Sequence, residues 1–494
     1  MSKALMFQGT GSDVGKTVLV AGLCRALKNR GLRVVPFKPQ NMSNNAAVAK
    51  ADEGQGEIGR GQWLQALACG VEPNVHMNPV LLKPQSQIGS QVVVQGKVWG
   101  NAKAREYLSL KPKLMAAVLE SYERMKADAD IVLIEGAGSP AEINLREGDI
   151  ANMGFATQAD VPVVLIGDID RGGVIASIVG THTILPEKDR NMIVGYLINK
   201  FRGDMSLFDE GLDLITQFSD WPSFGILPWV DAIKRLPAED SVALDKLDGA
   251  LPDGFRIVVP AMGKIANFDD LDPLRAEPGV ALQFIRKGDP FPDNADMVVL
   301  PGSKSTISDM IELRANGWEA PIKKFAADGG TIVGVCGGYQ MLGKKISDPR
   351  GLEGDVPQID GLGLLNVETD LLPEKTVQTF EPASCEFGCE LSGYEIHMGY
   401  TDGPDCARAM VNFDGRFDGA INPAGNVRGC YLHGLFGSDP YRKALLKQCG
   451  FEADENMSYA ATVEQALDEL ADAMETYLDI DGLLELSGKG CSKT

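Results

Sequence analysis

Thr331-Ile-Val-Gly-Val-Cys-Gly-Gly-Tyr-Gln-Met-Leu-Gly343 decides the reading of the C-terminal half. An apolar β-branched run ends at Cys336, two glycines follow, and Tyr339 to Leu342 can begin a helix. A strand that turns sharply into a helix pushes the residue at the bend out of the sheet edge, which is nucleophile-elbow geometry. A thiol at that bend lies near a helix N-terminus, whose partial positive charge favours the thiolate. The competing reading is a small buried cysteine in a Gly-rich turn, because free cysteine is usually a packing residue. The rest of the chain decides between them.

At the other end, Gly9-Thr-Gly-Ser-Asp-Val-Gly-Lys-Thr17 stands between an apolar run, Ala4–Phe7, and a helical pattern from Thr17 to Asn29. Such a loop cradles phosphate with backbone N–H groups, here from Gly9, Thr10, Gly11, Asp13, Val14 and Gly15. Lys16 then neutralises phosphate charge, and the Thr17 hydroxyl reaches Mg2+. Thr10 occupies the first glycine position of the strict pattern, so the loop is a variant. Glu135 follows the apolar run Ile131–Ile134 and precedes Gly136-Ala-Gly138. A carboxylate at a strand end beside a phosphate loop is a natural Mg2+ partner. Asp52 is a second candidate acid, equally readable as a solvated loop residue.

Further short apolar runs are Leu32–Phe37, Val161–Ile166, Met192–Ile198 and Phe224–Leu227, with helical stretches between them. Buried strands alternating with helices suit a parallel sheet covered on both faces. Lys234 to Gly254 breaks the rhythm with prolines and acids, and strands resume at Phe255, Val280 and Met297. The expected fold is α/β, with two doubly wound domains. Residues 1–235 form the first, 236–253 a linker, and 254–450 the second. The acidic, amphipathic tail 451–494 is expected to pack on the second domain.

The net charge of -21, with Lys+Arg 47 against Asp+Glu 68, argues against nucleic acid or an anionic membrane as partner. It leaves room for an anionic small substrate in a local basic pocket. No apolar run reaches the ~18 residues of a membrane span. No basic segment leads into an apolar signal region, so a cytosolic, reducing compartment is expected. Nine cysteines in 494 residues are not a disulfide framework, and Cys385 and Cys389 lack the neighbours of a zinc site.

Cys336 needs a base, and the histidines are His76, His182, His397 and His433. His433 follows the apolar run Val427–Leu432, which places an imidazole at another strand end. Cysteine and histidine then activate each other as thiolate and imidazolium, and the histidine later protonates the leaving amine.

The elbow, the Pro301-Gly-Ser303 turn and His433 together resemble a class I glutamine amidotransferase. The resemblance implies an oxyanion hole from the Gly302-Ser303 turn and the Gly337 amide, with Gln340 helping to hold glutamine. It also implies an acid two residues after the histidine, but Leu435 stands there. The N-terminal loop resembles that of dethiobiotin synthetase. That likeness implies ATP as the nucleotide, Lys38 facing the reacting carboxyl and phosphate, and Asn199 holding adenine.

The whole chain resembles the cobyric acid synthase family. The segments that carry the likeness include Phe37-Lys-Pro-Gln-Asn-Met-Ser-Asn-Asn45, Glu135–Pro140 and Asp149–Met153. The resemblance implies amidation of corrinoid carboxylates, with glutamine as nitrogen donor and ATP and Mg2+ as cofactors. Gln40, Asn41, Asn44, Asn45 and Asp149 become candidate substrate contacts, or else polar turn residues. Two alternatives stay open: a cobyrinic acid a,c-diamide synthase, or a P-loop switch protein without glutaminase activity. Unprotected acyl phosphate and ammonia react with water, so a shielded route for ammonia is expected. Oligomeric state is not legible.

Overall fold

Continuous Val/Ile/Leu runs make strands that can be buried on both faces, and they set the frame of both halves. The computed structural model describes residues 2–84, 89–238 and 253–488. Strand β1 (Lys3–Gly9) is followed by helix α1 (Lys16–Asn29) and by β2 (Val34–Phe37), β3 (Ile131–Glu135), β4 (Val163–Asp168), β5 (Ile193–Phe201) and β6 (Ser223–Pro228). They form one parallel sheet in the order β6-β5-β4-β1-β3-β2. β1 lies between β3 and β4, so the loop after it opens between two neighbouring strand ends. That is where open α/β sheets bind ligands.

The second sheet contains β7 (Phe255–Pro260), β8 (Val280–Ile285), β9 (Met297–Leu300), β10 (Thr331–Val335), β11 (Ala420–Ile421) and β12 (Val427–Cys430). Its order is β8-β7-β9-β10-β12-β11, parallel except for the β11–β12 edge pair. β10 is central, with every residue buried, and feeds the short helix α2 (Gly337–Leu342).

Two parts of the fold lie outside the α/β rhythm. Gln40–Met42, Val80–Pro84, Gly89–Val94 and Lys97–Lys103 make a small four-stranded sheet. Glu368–Cys385 and Glu390–Asp402 make a long antiparallel hairpin, whose turn carries a Cys385–Cys389 disulfide.

The described chain divides into two units that are not contiguous in sequence. One comprises Met1–Ser43, Ala49–Glu239 and Val463–Thr494; the other comprises Asn44–Val48 and Asp240–Thr462. Most of the expected linker, 239–252, lies outside the described residues.

The expectation for the tail is corrected from Val463 onward. Helix α3 (Tyr459–Tyr477) buries Val463, Ala466, Leu467, Leu470, Ala471 and Met474, a stripe at helical spacing. Leu470 and Met474 lie against Gly22 of α1, which has no side chain to keep them away. Acids of the tail meet cations of α1: Arg25 pairs with Glu464 at 2.7 Å, and Arg30 with Glu475 at 2.6 Å. Helix α4 (Ile480–Leu486) closes the same face with Ile480, Leu483 and Leu484 beside Leu5 and Leu23. The tail is therefore the last layer of the first unit. Among the described residues no helix is long and apolar enough to cross a membrane.

Candidate active sites

In the first unit the loop after β1 turns into α1 through Gly15, whose φ of 91° suits glycine. Lys16 Nζ donates to the carbonyls of Gly11 and Gly138, each at 3.2 Å, and so is held across the loop mouth. Glu135, at the end of β3, is the hub. One carboxylate oxygen accepts from Thr17 Oγ1 and from Lys38 Nζ, both at 2.8 Å. The other accepts from Gln65 Nε2 at 2.7 Å. Lys38 and Glu135 are both buried, so their charges need each other. Asn41 Nδ2 extends the network to Gln62 Oε1 at 2.9 Å.

The structure therefore joins Thr17 and Lys38 through Glu135, with Lys16 bonded to the carbonyl of Gly138 three residues further on. Asn199 braces the loop, its Nδ2 donating to the Val14 carbonyl at 2.8 Å. Asp52, expected as a metal ligand, is instead committed to Arg124 at 2.7 Å and His76 at 3.3 Å. Arg124, then His76, hold its carboxyl below the usual carboxylate range. Asp149 accepts from the backbone N–H groups of Ala151, Asn152 and Gly154, which is the work of a turn and cap. Gln40 accepts from Tyr107 Oη at 2.5 Å.

Sequence reasoning passed over Asp168. It ends β4 and accepts from Lys200 Nζ at 2.7 Å; Lys200 also donates to the carbonyl of Asp13. The rule that singles out Glu135, an acid ending an apolar strand, applies to it equally.

In the second unit Cys336 sits between β10 and α2 with φ 52° and ψ −108°, a strained bend for a residue with a side chain. Gly338 makes the bend possible: a Cβ there would stand 2.0 Å from the carbonyl oxygen of Leu300. Gly337 lies against Ser303, so the two amides expected to form an oxyanion hole are neighbours. The Cys336 thiol points to the Ile396 carbonyl at 3.7 Å.

His433 is buried beside it. Burial alone pushes the imidazole pKa down, but the Asp270 carboxylate and then Cys336, to which it hydrogen-bonds, lift it to about 10. Its Nδ1 lies 2.7 Å from Asp270 Oδ2. Gln340 is braced rather than free. Its Oε1 accepts from Thr306 Oγ1 at 2.8 Å, and its Nε2 donates to the Met398 carbonyl at 3.1 Å and to Tyr431 Oη at 3.2 Å. His397 stacks on Tyr431, with ring centroids 3.7 Å apart.

Asn44–Val48 carries two of the candidate substrate residues into this unit. Asn45 Oδ1 accepts from Asn267 N at 2.8 Å, and Ala46 N donates to Asn267 Oδ1 at 3.2 Å. Asn44 Oδ1 is buried without a hydrogen-bond partner.

A P-loop unit and a cysteine–histidine elbow unit on one chain define the class of two-domain, glutamine-dependent amide synthases. Comparison with known proteins agrees at both ends. Residues 5–243 match the CobQ/CobB/MinD/ParA nucleotide binding domain, and residues 256–441 match the CobB/CobQ-like glutamine amidotransferase domain. A cobyric acid synthase of Allorhizobium ampelinum is 61% identical over 99% of this chain and 100% of its own. One from Brucella suis is 60% identical over 99% and 100%. The chain belongs to the cobyric acid synthase family.

Proposed function

We propose that the chain amidates the b, d, e and g carboxylates of adenosylcobyrinic acid a,c-diamide, using ATP and glutamine. The observation that carries this reading is the pairing, on one chain, of the Lys16–Thr17–Lys38–Glu135 cluster with the Cys336–His433 elbow. The cluster suits phosphoryl transfer to a carboxylate. Lys38 presents positive charge where carboxylate and phosphate oxygens approach, and Lys16 neutralises the phosphates of ATP held by Gly9–Thr17. A carboxylate oxygen takes the γ-phosphoryl group and ADP leaves; ammonia then displaces inorganic phosphate and the amide forms.

Thr17 Oγ1 and Glu135 fit Mg2+, being hard oxygen donors at a phosphate loop. The ion would supply charge neutralisation on the phosphates. Gln40, Asn41, Asn44 and Asn45 remain the candidate corrinoid contacts, Asp149 being taken up by turn amides, and Asn199 is the candidate adenine contact. At the elbow, Cys336 attacks the glutamine carboxamide, and Gly337 N–H and the Gly302-Ser303 turn face the developing oxyanion. His433 gives its proton to departing ammonia, and water then releases glutamate.

The test is incubation with ATP, Mg2+, amide-labelled glutamine and the corrinoid diamide, followed by mass spectrometry. Stepwise uptake of label is expected. Cys336→Ala should abolish it with glutamine and retain amidation with concentrated ammonia. Activity on undecorated cobyrinic acid alone would overturn the substrate assignment, and equal use of both nitrogen sources by the variant would remove Cys336 from the mechanism.

A further inference from the structure

The acid ordinarily found two residues after an amidotransferase histidine is replaced here by Leu435, which is fully buried and apolar. We propose that Asp270, 163 residues earlier in the chain, takes over that acid's work and positions His433. The inference rests on the reading of Cys336 as the glutaminase nucleophile.

The geometry is that of a clamp. Asp270 Oδ2 lies 2.7 Å from His433 Nδ1 and accepts its N–H, and Oδ1 accepts from the Gly434 amide at 2.8 Å. Both carboxylate oxygens therefore grip the same dipeptide, which fixes the ring plane and the tautomer together. With Nδ1 committed to Asp270, Nε2 is the nitrogen left to serve Cys336. Asp270 and His433 are each over nine-tenths buried, so the attraction is weakly screened. Cys336 and the Tyr394 ring, stacked at 5.2 Å, also lie against the imidazole.

The segment that delivers Asp270 is itself tied to the site. Ala266 N donates to the Gly302 carbonyl at 2.9 Å, next to the oxyanion turn. Asn267, at φ 50°, reverses the chain into the turn Phe268–Leu271, and its Nδ2 donates to Tyr394 Oη at 3.3 Å. Tyr394 and His433 exchange backbone hydrogen bonds at 3.1 and 2.8 Å. Acid, base and oxyanion turn thus belong to one hydrogen-bonded frame. The step the acid assists is the one already described: His433 holds its proton until the carbon–nitrogen bond of glutamine breaks, then passes it to ammonia.

The test uses the full chain with Asp270→Asn and Asp270→Glu. The amide of Asp270→Asn loses the charge whichever way it turns, and with its NH2 toward Nδ1 it also loses the acceptor. Glutamine-dependent kcat should fall by about a hundredfold, less than the ~10⁴-fold of a serine triad because a thiol needs less activation. KM should stay near the wild-type value. The pH dependence of Cys336 alkylation by iodoacetamide should move to higher pH, because a less stable imidazolium supports less thiolate. Asp270→Glu should restore part of both. Wild-type kcat and an unmoved alkylation profile in Asp270→Asn would overturn the proposal. So would loss of activity in both variants with wild-type alkylation profiles, which marks a structural role only. If the wild-type chain releases no glutamate yet the alkylation profile still moves, the Asp270–His433 coupling stands and the glutaminase reading fails.

Discussion

At the residue scale, Glu135 organises the first site more than any glycine of the loop does. Its carboxylate gathers Thr17, Lys38 and Gln65 within 2.8 Å, and Lys16 is held at the loop by the Gly11 and Gly138 carbonyls. Lys16 belongs to the phosphate loop and Cys336 to the elbow, so a substitution at Lys16 tests the ATP chemistry apart from the glutaminase. Lys16→Ala should suppress amidation by at least about a hundredfold with either nitrogen source, since an uncompensated phosphate charge costs several kcal/mol. The rate of Cys336 alkylation should be unchanged. Normal ATP-dependent amidation by the variant would exclude the loop from the reaction.

The residues legible in the sequence were those with local signatures: Lys16 and Thr17 in a loop, Glu135 at a strand end, Cys336 at an elbow. Asp270 had none. It lies in Asn267-Phe-Asp-Asp-Leu-Asp272, where three aspartates look alike and only the fold selects the middle one. Asp149 shows the converse, a plausible polar residue whose oxygens are taken by three backbone amides.

At the scale of elements, the parallel strands were readable because burial on both faces leaves uninterrupted apolar runs. The hairpin Glu368–Asp402 was not, because its alternation is diluted by acids and exposed positions. Nor was the small sheet around Gln40 and Lys103, whose outer strand is largely exposed.

One helix bears a testable charge. Asp309, in the first turn of the helix Thr306–Ala315, accepts from Ser303 Oγ at 2.6 Å and Lys264 N at 3.0 Å. Burial pushes its pKa up to about 7 despite these bonds. The unfolded chain ionises this group near pH ~3.9. Between that pH and about 7 the folded state alone keeps the proton, so stability falls as pH rises through this window and levels off above it. Asp309→Asn should remove that part of the slope, so its urea midpoint should fall less than the wild type's between pH 5 and pH 8, two values chosen to bracket roughly the window. Burial also lifts Glu353 and Asp418 to about 7, so some slope should survive. Parallel wild-type and variant curves would contradict the assignment.

At the scale of the molecule, each unit borrows chain from beyond its own stretch. The first needs Val463–Thr494, and the second needs Asn44–Val48. Neither loan could be seen in the sequence, because a five-residue polar-to-apolar segment and an acidic helix carry no address. The second loan touches the elbow indirectly: Asn45 and Ala46 hold Asn267, three residues before Asp270. A fragment beginning at Asp253 should therefore melt at lower temperature than the same unit in the full chain. It should also hydrolyse glutamine at least about tenfold more slowly, the effect of an acid set about 1 Å off its place. A fragment as active as the whole chain would show that Asn44–Val48 is dispensable.

That interlacing also has a genetic side. The codons of the two activities are not two consecutive blocks of one reading frame, because a short early block belongs to the later unit and a final block to the earlier one. A break or recombination joint in the linker codons would hand each product an incomplete unit. Only a cut that carries those two blocks with their units would leave either half whole.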